Sequence, residues 1–215
     1  VTELANEKLM AAGLITGRRS PIAWDTDNAQ VDFYDMKGIL ERFLSAIGVQ
    51  KYTVERGEHF AMHPGKTAFF KKGRDVIAIL GEIHPTVAAN FGITQSVYVF
   101  EMEVDTLLRY RKKKNGITSL PKYPASTRDL AILVDAGLST AEIERVIAKK
   151  GGKFFRGATL FDVYMGKQVG SGKKSMAFHL HFQSDDKTLT DEEVDAAFAD
   201  ILEAAQSQLH AELRA

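Results

Sequence analysis

Apolar and polar positions change period several times along the chain. In residues 35–48, Ile39, Leu40, Phe43, Leu44 and Ile47 fall at the i, i+3, i+4 spacing of one helix face, and Gly48 follows where a left-handed residue would end the helix. Residues 68–71 and 76–80 are short apolar runs on either side of Lys72-Gly73-Arg74-Asp75, the pattern of two strands joined in a hairpin. Residues 97–104 alternate with period two and predict a further strand. Together these elements predict helices packed on a mixed or antiparallel sheet.

The pattern breaks at residues 109–116, Arg-Tyr-Arg-Lys-Lys-Lys-Asn-Gly, which hold five cations and an Asn-Gly pair and are followed by Pro121 and Pro124. This is linker chemistry, and it divides a module over residues 1–118 from a second over 119–215. In the second module residues 128–134 predict a strand. Ser139 and Glu142 then form a capping box for a helix carrying Ile143, Val146 and Ile147 and closing on Lys149, Lys150 and two glycines. Residues 154–164 and 174–183 are two more strands. Thr190 and Glu193 cap a second helix that runs through Val194, Phe198, Ile201, Leu202 and Leu209, and residues 211–215 leave room for an edge strand. The order β-α-β-β-α-β is that of a ferredoxin-like domain, with both helices on one face of an antiparallel sheet and the other face open. The fold class is therefore α+β.

Composition narrows the function classes. The chain has 215 residues and no cysteine, which excludes a disulfide scaffold and a cysteine-ligated metal site and suits a reducing, cytoplasmic setting. No apolar run is long enough to span a bilayer, so no membrane partner is expected. The chain opens on Val1 in what reads as a helix, as a piece of something longer would. Charge is balanced overall but not locally. Residues 1–108 hold 11 cations against 14 acids, residues 109–174 hold 15 against 5, and residues 175–215 hold 2 against 9. The basic middle block is either a footprint for a polyanion or a solvated face balanced by the acidic tail.

The segment Gly166-Lys-Gln-Val-Gly-Ser-Gly-Lys-Lys-Ser175 looks like a nucleotide phosphate loop but fails the test for one. Lys167 stands where the first glycine belongs, Lys174 where the hydroxyl belongs, and a strand follows where a helix is required. It reads instead as a glycine-rich hairpin between two strands. Period two puts Phe161 and Val163 on one face of the first strand, with Asp162 and Tyr164 on the other. In the second strand Met176, Phe178, Leu180 and Phe182 face away from Ser175, His179, His181 and Gln183. With the apolar sets under the helices, Asp162, Tyr164, Ser175, His179, His181 and Gln183 share the open face, with Lys173 and Lys174 at its rim. Acceptors, a donor, an aromatic plane and nearby cations suit single-stranded RNA, although any half-exposed sheet shows polar residues on its wet face.

These residues resemble a known family. Residues 121–124 (Pro-Lys-Tyr-Pro), 126–131 (Ser-Thr-Arg-Asp-Leu-Ala), 160–166 (Leu-Phe-Asp-Val-Tyr-Met-Gly), 172–177 and 188–194 are similar, in order, to the ferredoxin-fold anticodon-binding domain that ends the beta subunit of bacterial phenylalanyl-tRNA synthetases. The first module is similar to the one preceding it in that subunit, on Gly13-Leu-Ile-Thr-Gly17, Trp24, residues 31–38, His63-Pro-Gly65 and Gly81-Glu-Ile-His-Pro85. The resemblance implies a class II synthetase-like antiparallel sheet with helices that is catalytic-like but does no chemistry, and no arginine stands in a glycine-rich strand setting that would mark an ATP site. It further implies a share in ATP-dependent charging of phenylalanine-specific tRNA, with contact to an alpha subunit in an alpha2beta2 assembly. ATP and magnesium are then used by the whole synthetase, and no cofactor is expected in this stretch. Asp162, Tyr164 and Ser175 stand at the positions that meet anticodon bases in the family. Lys173, Lys174, His179 and His181 come from the face assignment alone. The family's upstream proofreading and magnesium-coordinating segments are not in this sequence, so neither activity is expected of it.

Other candidates have simpler readings. His63 and His84 precede prolines without a carboxylate cluster, and His179 and His181 lack a third ligand, so no metal site is expected. Asp32 and Asp35 read as a helix N-cap and a first-turn acid rather than a catalytic pair. Trp24, Phe33, Tyr34 and Phe43 read as core or subunit interface. The competing function is a small-molecule-sensing ferredoxin-like domain fused to a dimerisation module, with no RNA partner.

Overall fold

The computed structural model describes residues 7–112 and 120–214 and falls into two compact units, residues 1–116 and 117–215. The first unit is a five-stranded antiparallel sheet of β1 (Met10–Thr16), β2 (Thr53–Arg56), β3 (Met62–Lys72), β4 (Asp75–Ile83) and β5 (Val97–Glu103), in the order β1-β5-β4-β3-β2. Helix α1 (Phe33–Ala46) lays Met36, Leu40 and Leu44 against Phe70, Ile77, Leu80, Tyr98 and Met102. Each such side chain contributes about 1.5–3 kcal/mol on burial. Two short helices, α2 (Pro85–Asn90) and α3 (Val104–Tyr110), complete the unit.

The ends of α1 follow from its sequence. Asp32 accepts from the backbone N–H groups of Tyr34 and Asp35, and Asp35 accepts in return from the N–H of Asp32. Arg19 donates to both carboxylates, at 3.3 and 3.0 Å. The acid pair is therefore a helix cap. At the other end Gly48, at φ +83°, donates to Ser45 while Val49 donates to Leu44, which is a Schellman closure.

Two expectations change in this unit. Ile39 and Phe43, read as part of the inward face of α1, are exposed, because Met36 takes the third inward position with Leu40 and Leu44. The helix expected at the start of the chain falls outside the described residues, and the described chain enters a strand at Met10. Seven register pairs with β5 hold β1 in the sheet. Arg109 and Tyr110, read as linker, close α3. The Tyr110 hydroxyl donates to Asp75 at 2.9 Å and Arg109 pairs with the same carboxylate at 3.3 Å. The rest of the predicted linker, from residue 113 on, lies outside the described residues.

The second unit contains β6 (Ser126–Asp135), α4 (Thr140–Lys150), β7 (Phe155–Tyr164), β8 (Lys173–Phe182), α5 (Asp191–Leu209) and β9 (Glu212–Leu213), and its antiparallel sheet has the order β7-β8-β6-β9. This is the β-α-β-β-α-β chain order expected of a ferredoxin-like domain. Its core joins Leu130, Ile132, Met176, Phe178, Leu180 and Phe182 of the sheet to Ile143, Ile147, Val194 and Ile201 of the helices. Both capping boxes form as the sequence predicts. Arg128 ties β6 to the first turn of α5, donating to Asp191 at 2.8 Å and Asp195 at 2.9 Å.

Candidate nucleic-acid interface

Paired residues of adjacent antiparallel strands point to the same face, so the register of β7, β8 and β6 lays out the open face in rows. Tyr164, Ser175 and Leu133 form one row, Asp162, Ala177 and Ala131 the next, Thr159, His179 and Asp129 a third, and Gly157, His181 and Thr127 a fourth. Asp162, Tyr164, Ser175, His179 and His181 are thus brought together on the sheet side opposite the helices. The row beside Asp162 carries two alanines, Ala177 and Ala131.

A β-bulge between Leu160 and Asp162 alters the predicted alternation. Leu160 pairs with Phe178 and Val163 with Met176 on the helix side, which leaves Phe161 as the extra residue. A bulge re-aims a side chain, and here the Phe161 ring stacks on His179 with centroids 3.9 Å apart and planes 14° apart. Phe161 therefore belongs to the open face, not to the apolar set under the helices. Lys174 also departs from expectation. It pairs in register with Val134 on the helix side, and its ammonium donates to the carbonyl of Leu138. Lys173 stays on the open face, bound to Glu212. Gln183 donates to the carbonyl of Tyr123 at 2.7 Å and anchors the segment entering β6.

Sequence reasoning missed Arg214. After β9 its N–H bonds the Ala131 carbonyl, its Nη1 donates to the Ser175 hydroxyl at 3.0 Å, and its guanidinium lies 5.7 Å from the centre of the Tyr164 ring. A short edge strand with one arginine offers no motif, and only the pairing of β9 with β6 brings it to Ser175. Ser175 itself is buried at 3% exposure, so its hydroxyl acts at the floor of the face rather than at its surface. Tyr164 lies over Gly166: a Cβ there would stand 2.5 Å from the tyrosine oxygen. His179 Nδ1 is 2.6 Å from the Asp129 carboxylate, and His181 Nε2 is 3.2 Å from the Thr159 hydroxyl. The cations of this unit gather elsewhere as well: Lys149, Lys150, Lys153 and Arg156 are exposed where α4 leads into β7, with Arg156 paired to Asp185 at 3.1 Å.

The histidines of the first unit serve its backbone. His59, His63 and His84 each accept, through Nδ1, the N–H two residues on, at Ala61, Gly65 and Thr86. Among the described residues there is no group of three or more His, Asp or Glu that could hold a metal ion, and no helix is long and apolar enough to cross a membrane. Glu82 sits beneath the His63 loop. Burial works to raise its pKa, but hydrogen bonds from Lys66 and Ser96 prevail and hold the carboxyl below its ordinary range. The exposed apolar residues of this unit include Leu14, Ile22, Trp24, Tyr34, Ile39 and Phe43, of which Trp24 is 98% exposed. Phe33 alone of the four aromatics singled out packs against the core.

Comparison with known proteins agrees with this layout. Residues 121–214 match the family described as Ferredoxin-fold anticodon binding domain, and residues 1–104 match the Phenylalanyl tRNA synthetase beta chain CLM domain. The chain is 39% identical over 210 residues to the phenylalanine–tRNA ligase beta subunit of Syntrophotalea carbinolica, with 97% of this chain and 26% of that protein covered. It is 38% identical over 205 residues to that of Lactiplantibacillus plantarum (94% and 25% covered) and 37% identical over 215 residues to that of Halalkalibacterium halodurans (100% and 26% covered). It spans about a quarter of the length of the curated relatives it matches. With its two matched domains in the same order as its two folded units, the chain belongs to the bacterial phenylalanyl-tRNA synthetase beta chain family.

Proposed function

We propose that this chain supplies the tRNA-facing and subunit-facing parts of a phenylalanine–tRNA ligase beta subunit, and so contributes to ATP-dependent charging of phenylalanine-specific tRNA in the cytoplasm. The observation that carries this reading is the open face of the second unit. Asp162 offers an acceptor, Tyr164 a stacking plane, and Ser175 a hydroxyl backed by Arg214, all on adjacent strands. Unstacked RNA bases are recognised by this combination of stacking and edge hydrogen bonds. The module over residues 119–215 then reads the anticodon.

The module over residues 1–118 is non-catalytic and contacts the alpha subunit of an alpha2beta2 assembly. Its support is the exposure of large apolar side chains in this unit, among them Trp24, Tyr34 and Phe43, residue types enriched where subunits meet. ATP and magnesium are used by the whole synthetase, and this stretch is assigned no part in holding them.

The test is binding of the isolated anticodon stem-loop of phenylalanine tRNA by fluorescence anisotropy across a salt series. The logarithm of the affinity should fall linearly with the logarithm of salt concentration, and an unrelated hairpin should bind more weakly at every salt. Equal affinity for both hairpins, or tight calorimetric binding of free phenylalanine by this chain alone, would turn the reading towards small-molecule sensing.

A further inference from the structure

The bulge in β7 leaves one large side chain outside the core. Phe161 takes no part in the core packing of its unit and is 50% exposed. Leaving an aromatic ring in water gives up burial free energy, and a bulge gives up ladder pairing, so this placement is unexplained by folding alone. What surrounds the ring is ordered. Asp129 on β6, His179 on β8 and Phe161 on β7 form a line across three strands: the carboxylate accepts from Nδ1 at 2.6 Å, and the imidazole stacks on the phenyl ring at 3.9 Å. The hydrogen bond fixes the plane of the imidazole, and the imidazole fixes the plane of the ring. Thr159, the register partner of His179, is turned to His181 and leaves the place beside the imidazole to Phe161. One face of the phenyl ring is covered, and the side chain remains half open to solvent.

We infer that the Phe161–His179 pair, held by Asp129, is a second stacking platform for an RNA base, separate from the site formed by Asp162, Tyr164 and Ser175. This inference rests on the RNA-binding reading above and deepens it. Phe161 and Tyr164 are three steps apart along the strand, roughly 10 Å at about 3.3 Å per step, too far for one base to lie on both rings. The platform therefore takes a neighbouring nucleotide of the same loop. A base stacks on the open side of Phe161 and extends the column begun by His179, in the sequence-tolerant manner of single-strand binding surfaces. His179 is a positioning residue that acts through Phe161, and Asp129 acts through His179.

The experiment uses the whole chain and the phenylalanine anticodon stem-loop, with 2-aminopurine placed in turn at each loop position. Its fluorescence is quenched when it stacks. One position should be quenched on binding in a way that Y164A leaves unchanged and F161L abolishes. F161L should also weaken binding about 5- to 100-fold, which is the span of one base–aromatic stack. F161Y should restore both readouts, and H179A, which leaves the ring without its backing, should give partial quenching. Because Phe161 lies outside the core, F161L should unfold at the wild-type urea concentration. Should it not, F161Y at an unchanged midpoint decides. Binding by F161L within about twofold of wild type, or quenching that survives it, overturns the platform while D162A and Y164A still test the anticodon site. If D162A and Y164A also bind like wild type, the RNA-binding reading falls with it.

Discussion

Arg214 Nη1 lies 3.0 Å from the hydroxyl of Ser175, so a residue beyond the edge strand β9 secures the floor of a face built mainly from β7 and β8. The same guanidinium stands 5.7 Å from the centre of the Tyr164 ring and gives that ring a cationic neighbour. Substitution R214A removes a charge-assisted donor and should weaken anticodon stem-loop binding by about 5- to 50-fold, with R214K recovering only part, since an ammonium does not reproduce a planar fork. Unfolding midpoints should shift little, because the contact lies at the domain's edge. Anisotropy titrations beside urea unfolding separate the two effects, and unaltered affinity in R214A would remove Arg214 from the interface.

The Glu82–Lys66 pair should make the first unit acid-sensitive. The folded-state carboxyl is held below its ordinary range, while in the unfolded chain it titrates as an ordinary glutamate. The folded state then binds protons less readily than the unfolded chain. The stabilisation is present above the unfolded value and is lost as pH falls through the lower, folded one. Lys66 shifts upward through its bond to Glu82, as a pair of this kind requires. Urea midpoints at pH 7 and pH 3.5 should differ less in E82Q than in wild type. An identical difference in both proteins would show that this pair does not set the acid limb.

Helix ends offer a test of the second unit. Thr190 accepts from the N–H of Glu193, and Glu193 bonds back to the N–H of Thr190 while pairing with Lys187 at 2.6 Å. T190A should cost about 1 kcal/mol of stability, and T190S very little. In the first unit G48A should cost more than that. The residue must adopt φ +83°, and a Cβ would meet the Lys112 carbonyl oxygen at 2.2 Å. Chemical denaturation with unchanged m-values measures both.

The second unit was more legible in sequence than the first, for physical reasons. Its helices announce themselves by Ser139–Glu142 and Thr190–Glu193, and its strands by strict alternation, as in Met176, Phe178, Leu180 and Phe182. The first unit hides β1 in an alanine-rich run whose strand state is decided by pairing with β5, a contact 80 to 95 residues away in sequence. Within the site, alternation placed Asp162 and Tyr164 with Ser175, but it cannot reveal a bulge. Without the bulge Phe161 would be counted as core and its stack on His179 would go unseen. Lys174 failed for a related reason: in a strand, adjacent cations must point to opposite faces, and only Lys173 remains on the open one.

Gly166 allows the role of Tyr164 to be tested without altering a contacting residue. Its φ of −170° is extended backbone open to any residue, so only space is at issue. An added methyl would stand 2.5 Å from the tyrosine oxygen and 2.7 Å from the ring carbon bearing it, distances that no Cβ tolerates. The ring's free end is exposed and can swing away, so G166A should change stability by less than about 0.5 kcal/mol. The displaced ring, however, would lose its plane parallel to an incoming base. Stacking is worth about 1–3 kcal/mol, so binding of the anticodon stem-loop should fall by roughly one order of magnitude at constant salt. The double substitution G166A/Y164A should bind no worse than Y164A alone, because the glycine acts only through the tyrosine. Additive losses in that cycle would assign Gly166 a contact of its own with the RNA and leave the orientation of Tyr164 without a measured role.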